Sequence, residues 1–184
     1  MAIPKRGLLI GRFQPFHVGH MKAVEQVLSE YDEVVVAIGS SQYSFTPENP
    51  FTAGERVEMI RIGVKSSGRD LSRVIAIPVP DIGEHHLWMS RLVATVPSFQ
   101  TLYTNNPFVK LLAENAGVKV REPRLYEREK LNGTEIRRLI LQGGPWEQFV
   151  QQEVAEYIKS IGGVERIRVI HSQLKTSALR EGYP

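Results

Sequence analysis

A strand, an amphipathic helix and a second strand follow one another in the first forty residues, and this order constrains the fold more than any other feature of the sequence. Residues 7–11 and 34–38 are short apolar runs, without the polar alternation of a half-exposed strand. Between them, the apolar side chains from Val18 to Tyr31 recur at the spacing of one helix face. Because strands joined in this way run parallel with a right-handed crossover, the pattern predicts an α/β protein with helices on both faces of a parallel sheet.

The alternation continues to residue 120, after which only helices are predicted. Further strands are expected over residues 74–79, 101–104 and 118–120, which gives a sheet of about five strands. Helices are expected near residues 52–64, 87–96, 108–115, 135–141, 153–161 and 164–179. Thr52 and Glu55 have the spacing of a capping box, so we interpret Glu55 as a structural residue. A chain of 184 residues with this pattern is expected to form one domain.

The composition excludes several kinds of site. The chain contains no cysteine, which rules out disulfides, thiolate metal sites and a cysteine nucleophile. No apolar run approaches the roughly 20 residues of a membrane-spanning helix, and the run after Lys5-Arg6 is too short for a signal peptide. These features favour a cytoplasmic protein without a membrane partner. The net charge of +3 is mild, so acidic small molecules are expected as substrates at least as readily as a nucleic acid.

The loop after the first strand is where a site is expected first, because ligands of such sheets bind outside the carboxyl ends of the strands. The loop contains neither the G-x-G-x-x-G pattern of dinucleotide-binding oxidoreductases nor a P-loop. It does place His17 and His20 on the same side of a predicted first helical turn. Helix N-termini attract phosphate, and Gly19 leaves the backbone open to close approach. We therefore interpret the loop as a phosphate site, with a zinc site or ordinary core or surface histidines as the alternatives.

The ten residues Gly11–His20, GRFQPFHVGH, resemble the signature of the nucleotidyltransferases with an H-x-G-H motif, and more narrowly the archaeal nicotinamide mononucleotide (NMN) adenylyltransferases. Further similar segments follow in order at residues 38–42, 49–56, 80–82, 87–88, 106–107, 133–138 and 163–168. The resemblance implies a single Rossmann-like domain over residues 1–184, with an α/β core in residues 5–145 and C-terminal helices in residues 146–184. It also implies transfer of the adenylyl group of ATP to NMN, which gives NAD and pyrophosphate.

The resemblance further implies a role for each site residue. The catalytic residues would be His17, His20, Arg12 and Arg137, all in contact with the ATP phosphates. Other ATP contacts would come from Gly11, Phe13, Gln14, Gly19, Asn106 and Thr134. The NMN site would consist of Phe13, Ser40, Ser41, Asp81, Ile82, His85 and Trp88. Mg²⁺ would be bound mainly by the ATP phosphates, so no metal ligand is assigned to the protein. The partners would be ATP, NMN and NAD, with no nucleic acid, and the protein would be a homo-oligomer such as a hexamer.

The chemistry of this reaction suits these residue types. The NMN phosphate is already an anion, so it needs neither a general base nor an enzyme nucleophile, and catalysis reduces to positioning and to cationic and N–H donors. Trp88 can stack on the cationic pyridinium ring of NMN, and a tryptophan of the core is the alternative. Arg137 as half of a surface ion pair and Thr134 as a helix N-cap are the structural alternatives for the C-terminal motif. Trp146 is interpreted as structural.

Four positions depart from the archaeal pattern, namely Phe45, His85, Asn105 and Asn132, where histidine, asparagine, glycine and serine are usual. A protonated His85 would favour a carboxylate over a carboxamide, so we expect nicotinic acid mononucleotide to be accepted relatively better as the pH falls. A metal site at the adjacent residues 85 and 86 is not expected, because neighbours in sequence do not share a face.

Three other functions compete with this interpretation. The first is a related adenylyl- or cytidylyltransferase with a different phosphorylated acceptor, and the second is a nucleotide-binding regulator without turnover. The third is a nucleic-acid-binding protein that uses the basic C-terminal residues Arg166, Arg168, Lys175 and Arg180. We interpret these four residues instead as a solvated or subunit-facing helix surface.

Overall fold

The computed structural model describes residues 3–124 and 132–181, with the backbone alone for residues 174–181. Five parallel strands form one sheet in the order β3-β2-β1-β4-β5, which confirms the predicted α/β class. The strands are β1 (Arg6–Gly11), β2 (Glu33–Ile38), β3 (Val74–Pro78), β4 (Thr101–Tyr103) and β5 (Val120–Arg121). The chain adds strands to one side of β1 and then to the other, so the order reverses between β1 and β4. Such a reversal opens a crevice at the carboxyl ends of the strands.

Seven α-helices cover the two faces of this sheet in the described parts of the chain. They are α1 (Val18–Glu30), α2 (Ala53–Ser66), α3 (His85–Thr95), α4 (Pro107–Asn115), α5 (Gly133–Gln142), α6 (Gln152–Ser160) and α7 (Gly163–Glu181). Short 3-10 helices at Leu71–Arg73 and Trp146–Phe149 complete the connections. None of the helices in the described ranges combines the length and hydrophobicity needed to cross a bilayer.

The apolar run of β2 is continuous because both of its faces are buried. Val34, Val36 and Ile38 belong to a cluster with α1, α2 and the C-terminal helices, whereas Val35 and Ala37 belong to a second cluster with α3 and α4. This alternation follows from the two-residue period of a strand. The C-terminal helices are part of the first cluster through side chains that include Val154, Ile158 and Ile167.

Several element boundaries differ from the predicted ones. β5 begins at Val120 rather than at residue 118, and α3 begins at His85 rather than at residue 87. The capping box of α2 is confirmed, since Thr52 Oγ1 accepts from the Glu55 N–H (3.2 Å) and the Glu55 carboxylate accepts from the Thr52 N–H (2.9 Å). The alternative that Thr134 caps α5 is wrong. Asn132 is the N-cap, and its side-chain oxygen accepts from the Glu135 N–H at 2.8 Å.

Candidate active site

The loop between β1 and α1 turns sharply and buries two of its side chains. Phe13 has a positive φ of 53° and its ring is 1% exposed. The Gln14 amide is also buried, where it donates to the Phe51 carbonyl (2.9 Å) and accepts from the Phe51 N–H (3.0 Å). Both residues were predicted to contact a nucleotide. In this structure neither residue lines one of the cavities described below, because both side chains are buried in the interior.

His17 and His20 form a reciprocal cap on the first turn of α1. His17 Nδ1 accepts from the His20 N–H (3.4 Å), and His20 Nδ1 accepts from the His17 N–H (3.3 Å). The two rings stack with their centroids 3.6 Å apart. Because each Nδ1 is an acceptor, the hydrogen-bond network assigns the proton of each neutral ring to Nε2. The loop therefore offers two ring N–H donors that its own helix cap does not use.

Burial keeps both rings neutral at physiological pH. It lowers the pKa of His17 to about 4. Burial and the neighbouring His17 together hold the pKa of His20 well below its usual value. The phosphate site predicted from the sequence is thus supplied with neutral N–H donors at this position, and positive charge must come from arginines nearby.

Two adjoining cavities open at the crevice between β1 and β4. The first has a volume of about 280 Å³, and its lining includes His17, Gly19, His20, Asn105, Asn132 and Gly133. The second has a volume of about 360 Å³, and its lining includes Gly11, Arg12, Ser40, Asp81, Ile82, His85, Trp88 and Phe108. Ile10, Thr104 and Asn106 line both cavities. The predicted histidine loop and most of the predicted NMN residues are therefore neighbours across one shared wall.

Besides Phe13, one predicted NMN residue, Ser41, does not line the second cavity. Its N–H donates to the Val79 carbonyl (3.3 Å), which joins the loop after β2 to the end of β3. Trp88 is a tryptophan of the core, as its structural alternative supposed, and it also lines the second cavity. It is 8% exposed and belongs to the core cluster with Met89 and Leu92. His85 packs edge-to-face on Phe108, with 5.0 Å between the ring centroids.

A third cavity of about 330 Å³ shares Arg12 with the second one. Its lining includes Thr46, Glu48, Thr134, Arg137, Arg138, Ile167, Ile170 and His171. Arg137 is 9% exposed, and its guanidinium donates to the Gln14 carbonyl (2.7 Å) and to Thr134 Oγ1 (3.3 Å). Burial and the nearby Arg12 lower the pKa of Arg137, while Glu48 raises it. The alternative that Arg137 forms a surface ion pair is therefore wrong.

Glu48 and His171 line the third cavity but were not predicted as site residues from the sequence. The signal for His171 lay in the helical spacing of α7, because Ile167, Ile170 and His171 fall on one face at i, i+3 and i+4. No comparable pattern marked Glu48, which is brought to the cavity by the long loop between β2 and α2.

The first turn of α5 lies between the first and third cavities. Asn132 and Gly133 line the first cavity, and Thr134 and Arg137 line the third. A Cβ at Gly133 would lie 2.8 Å from the Gln14 carbonyl oxygen, so only glycine lets the helix start approach the β1 loop this closely. The N-terminal dipole of α5 consequently points into the same region as the two histidines.

Arg56 holds the carboxyl ends of β1 and β2 in place. The side chain is fully buried, and its guanidinium donates to the carbonyls of Arg12 (3.1 Å), Gly39 (2.9 Å) and Ser40 (3.2 Å). A further bond reaches the Thr52 carbonyl at 3.2 Å. Burial lowers the pKa of Arg56 to about 10, which leaves the group charged at neutral pH. Arg56 was a candidate within the similar segment of residues 49–56, and in the structure its bonds to backbone carbonyls make it a fixed support behind the second cavity.

Arg166 does not lie on a solvated or subunit-facing surface, so that prediction is wrong for this residue. Its guanidinium forms a two-pronged ion pair with the Glu55 carboxylate (2.6 and 2.8 Å), and both side chains are 17% exposed. The ring of Phe45 stacks on this guanidinium at 4.9 Å. Arg168 is half exposed, and the side chains of Lys175 and Arg180 lie outside the described part of the structure.

Three comparisons with known proteins agree on one relationship. Residues 8–139 match the family model described as cytidylyltransferase-like. The chain is 48% identical over 166 residues to the nicotinamide-nucleotide adenylyltransferase of Pyrobaculum neutrophilum, covering 90% of this chain and 93% of that protein. It is 46% identical to the enzyme of the same name from Archaeoglobus fulgidus, covering 90% and 97% of the two chains.

Among solved structures, the chain is similar to a bifunctional NMN adenylyltransferase/ADP ribose pyrophosphatase from Francisella tularensis, crystallised with AMP and a manganese ion. The TM-score is 0.77 at 20% sequence identity. The match covers 99% of this chain and 57% of that longer protein. At this identity the likeness bears on the fold alone, which is the fold described above.

Proposed function

This chain belongs to the nicotinamide-nucleotide adenylyltransferases of the cytidylyltransferase-like family, and we propose that it transfers the adenylyl group of ATP to NMN, forming NAD and pyrophosphate. One observation carries the proposal beyond family membership. The cavity at the histidine loop and the cavity at Trp88 meet at a shared wall, so two nucleotides can lie with their phosphates in contact. An adenylyl transfer requires this arrangement of donor and acceptor.

In the proposed mechanism ATP occupies the first cavity and NMN the second. An oxygen of the NMN phosphate attacks the α-phosphorus of ATP, the new P–O bond forms, and the bond to the β-phosphate oxygen breaks as pyrophosphate leaves. No proton needs to be removed from the attacking anion. The protein must therefore hold two anions in line and stabilise charge that moves toward the pyrophosphate.

The residues suit this demand. His17 and His20 line the first cavity, and their ring N–H donors would bind the non-bridging phosphate oxygens in the transition state. Arg12 borders the second and third cavities, so its charge would lie between the acceptor nucleotide and the leaving group. Arg137 and the start of α5 would hold the departing pyrophosphate.

The nucleotide phosphates, rather than protein side chains, would supply the ligands of a divalent cation at this site. No group of three or more His, Asp or Glu side chains that could hold a metal occurs among residues 3–124 and 132–173, where side chains are described. Because Mg²⁺ prefers oxygen ligands and keeps several waters, it would be held by phosphate oxygens and water, where it would neutralise charge on the pyrophosphate. A cytoplasmic location and a homo-oligomeric assembly remain predictions.

The direct test is incubation of the purified protein with ATP, Mg²⁺ and NMN, with chromatographic detection of NAD and pyrophosphate. Formation of both products in equal amounts is expected. A panel of other phosphorylated acceptors tests the related-transferase alternative, which would be favoured if one of them were adenylylated faster than NMN. Binding of ATP and NMN without any pyrophosphate release would instead identify a regulator.

We also propose that His85 lets the acceptor site accept nicotinic acid mononucleotide. Its exposed imidazole lines the same cavity as Trp88, beside Asp81. Protonation of His85 would add a cation that favours the carboxylate of nicotinic acid mononucleotide over the carboxamide of NMN. The ratio of kcat/KM for the two acceptors should therefore shift toward nicotinic acid mononucleotide as the pH falls from 8 to about 5.5. A ratio that is constant with pH, or unchanged in the variant His85→Asn, would refute this role.

A further inference from the structure

Gln42 pairs with the backbone of Asp81, although it lines none of the three cavities described above. Its side-chain Nε2 donates to the Asp81 carbonyl (3.0 Å), and its Oε1 accepts from the Asp81 N–H (3.0 Å). The amide therefore satisfies both backbone polar groups of one residue, as a neighbouring strand would do. This fixes the position of Asp81 relative to the loop after β2.

Ser40 completes the attachment by holding the side chain of Asp81. The Ser40 hydroxyl donates to one carboxylate oxygen (2.7 Å), and the Ser40 N–H donates to the other (3.3 Å). Ser40 has a positive φ of 51°, which directs its N–H and its hydroxyl toward the same carboxylate. All four of these hydrogen bonds to Asp81 come from the loop after β2.

The segment from Val79 to the start of α3 is joined to β2 and its following loop at two residues, at Val79 through Ile38 and Ser41, and at Asp81 through Ser40 and Gln42. It has no regular secondary structure, and it supplies Asp81, Ile82 and then His85 to the wall of the second cavity. Asp81 is the only acidic residue among the described residues that line this cavity. Its carboxylate is the group that can attract a cationic pyridinium ring, and the attraction depends on the distance between the two charges.

We propose that Gln42 is a positioning residue for the acceptor nucleotide: through Asp81 it holds the wall of the site that receives the pyridine ring. This inference rests on the proposed function and adds to it a residue that determines the affinity for NMN without affecting the affinity for ATP. Gln42 acts through Asp81, which lines the second cavity but neither the first nor the third, whereas the histidine loop and α5 lie on other elements.

The test is the variant Gln42→Met, which keeps the size of the side chain and removes both hydrogen bonds. The KM for NMN is expected to rise about tenfold, with kcat and the KM for ATP changed by less than about twofold. Gln42→Glu keeps the acceptor but loses the donor and adds a charge beside Asp81, so its effect is expected to be at least as large. Quenching of tryptophan fluorescence by NMN provides a binding readout that does not depend on turnover.

Gln100→Met is the matched control. Gln100 is also an exposed glutamine whose side chain bonds a backbone group, since its Oε1 accepts from the Arg6 N–H (2.6 Å) at the opposite end of the sheet. This variant should lower the melting temperature without changing either KM. An unchanged KM for NMN in Gln42→Met, or equal changes in both KM values, would overturn the inference while leaving the proposed function intact. If the wild-type protein forms no NAD, the proposed function and the role of Gln42 are both refuted.

Discussion

Each histidine of the first loop is held by the backbone of the other, and this limits the chemistry that either can perform. A ring whose Nδ1 accepts a hydrogen bond and whose pKa is lowered by burial acts as a neutral donor through Nε2. The sequence could predict that His17 and His20 lie on the same side of a turn. It could not predict the reciprocal cap, because Ser, Thr, Asp and Asn are the residues usually found at a helix N-cap.

Replacement of His20 should separate its capping role from its catalytic one. His20→Ala is expected to lower kcat by a factor on the order of 10²–10³, with a smaller effect on ATP affinity, because one donor to the transition state is lost. His20→Gln supplies a capping acceptor at the same position, so it should restore stability but not turnover. Steady-state kinetics and urea denaturation distinguish the two effects. Normal turnover in His20→Gln would show that His20 serves only as a cap.

The stability of the protein should fall on mild acidification. Between about pH 6.5 and pH 4, His17 is protonated in the unfolded chain but neutral in the folded chain. The free energy of unfolding therefore decreases as the pH falls through this window. The slope approaches about 1.4 kcal/mol per pH unit for each such histidine, and above pH 7 it vanishes. The pKa of Glu55 is lowered from 4.5, so its contribution is lost as the pH falls below about 4.5 and overlaps only the acidic end of this window.

Urea denaturation at pH 7, 6 and 5 measures this effect. The variant His17→Asn keeps a capping acceptor but removes the titrating ring, so its stability should depend less on pH. An equal pH dependence in the variant and the wild type would contradict the assignment to His17.

At the scale of elements, the local patterns were predictable and the long-range contacts were not. The capping box of α2 and the helix spacing of α1 involve residues a few positions apart, and both were read from the sequence. Arg56 and Arg166 bond groups on other elements, such as the Gly39 carbonyl and, from the far end of the chain, the Glu55 carboxylate. Their partners are defined only once the sheet and the C-terminal helices have packed together.

The close approach of α5 to the β1 loop gives a test at this scale. Gly133→Ala should displace the helix start, because the added Cβ would lie 2.8 Å from the Gln14 carbonyl oxygen. We expect kcat/KM for ATP to fall about tenfold or more, since a displacement near 1 Å suffices for losses of this kind. Gly54→Ala in α2 is the control, because its Cβ would meet no atom within 4 Å and the variant should be as active as wild type. Equal activity of the two variants would exclude a role for this contact.

At the scale of the whole molecule, the boundary expected after residue 145 does not separate two cores. Val154, Ile158 and Ile167 of the C-terminal helices share one hydrophobic cluster with Leu9 of β1 and Val36 of β2. The alternation of strands and helices predicted the sheet, but periodicity alone does not specify which face a terminal helix covers. The same is true of the candidate site. Residues of α7 line the third cavity, and the spacing of apolar residues in the sequence could not predict that contact.

A fragment of residues 1–145 is therefore expected not to fold cooperatively. Without α6 and α7 it would expose the apolar face that they cover and would lose the partner of Glu55. Circular dichroism during thermal unfolding should show no sigmoidal transition for this fragment, whereas the full chain should show one. A cooperative transition in the fragment would mean that the α/β core is an independent unit.

The histidine cap on α1 has a consequence for how activity is lost on warming. Two hydrogen bonds close the first turn of α1, and such a turn can open locally without global unfolding. Opening of this one turn separates the two rings and withdraws both donors from the cleft, although the rest of the chain stays folded. Turnover should therefore decline below the global melting temperature, because the two imidazole rings that bind the phosphates also accept the hydrogen bonds that stabilise this turn.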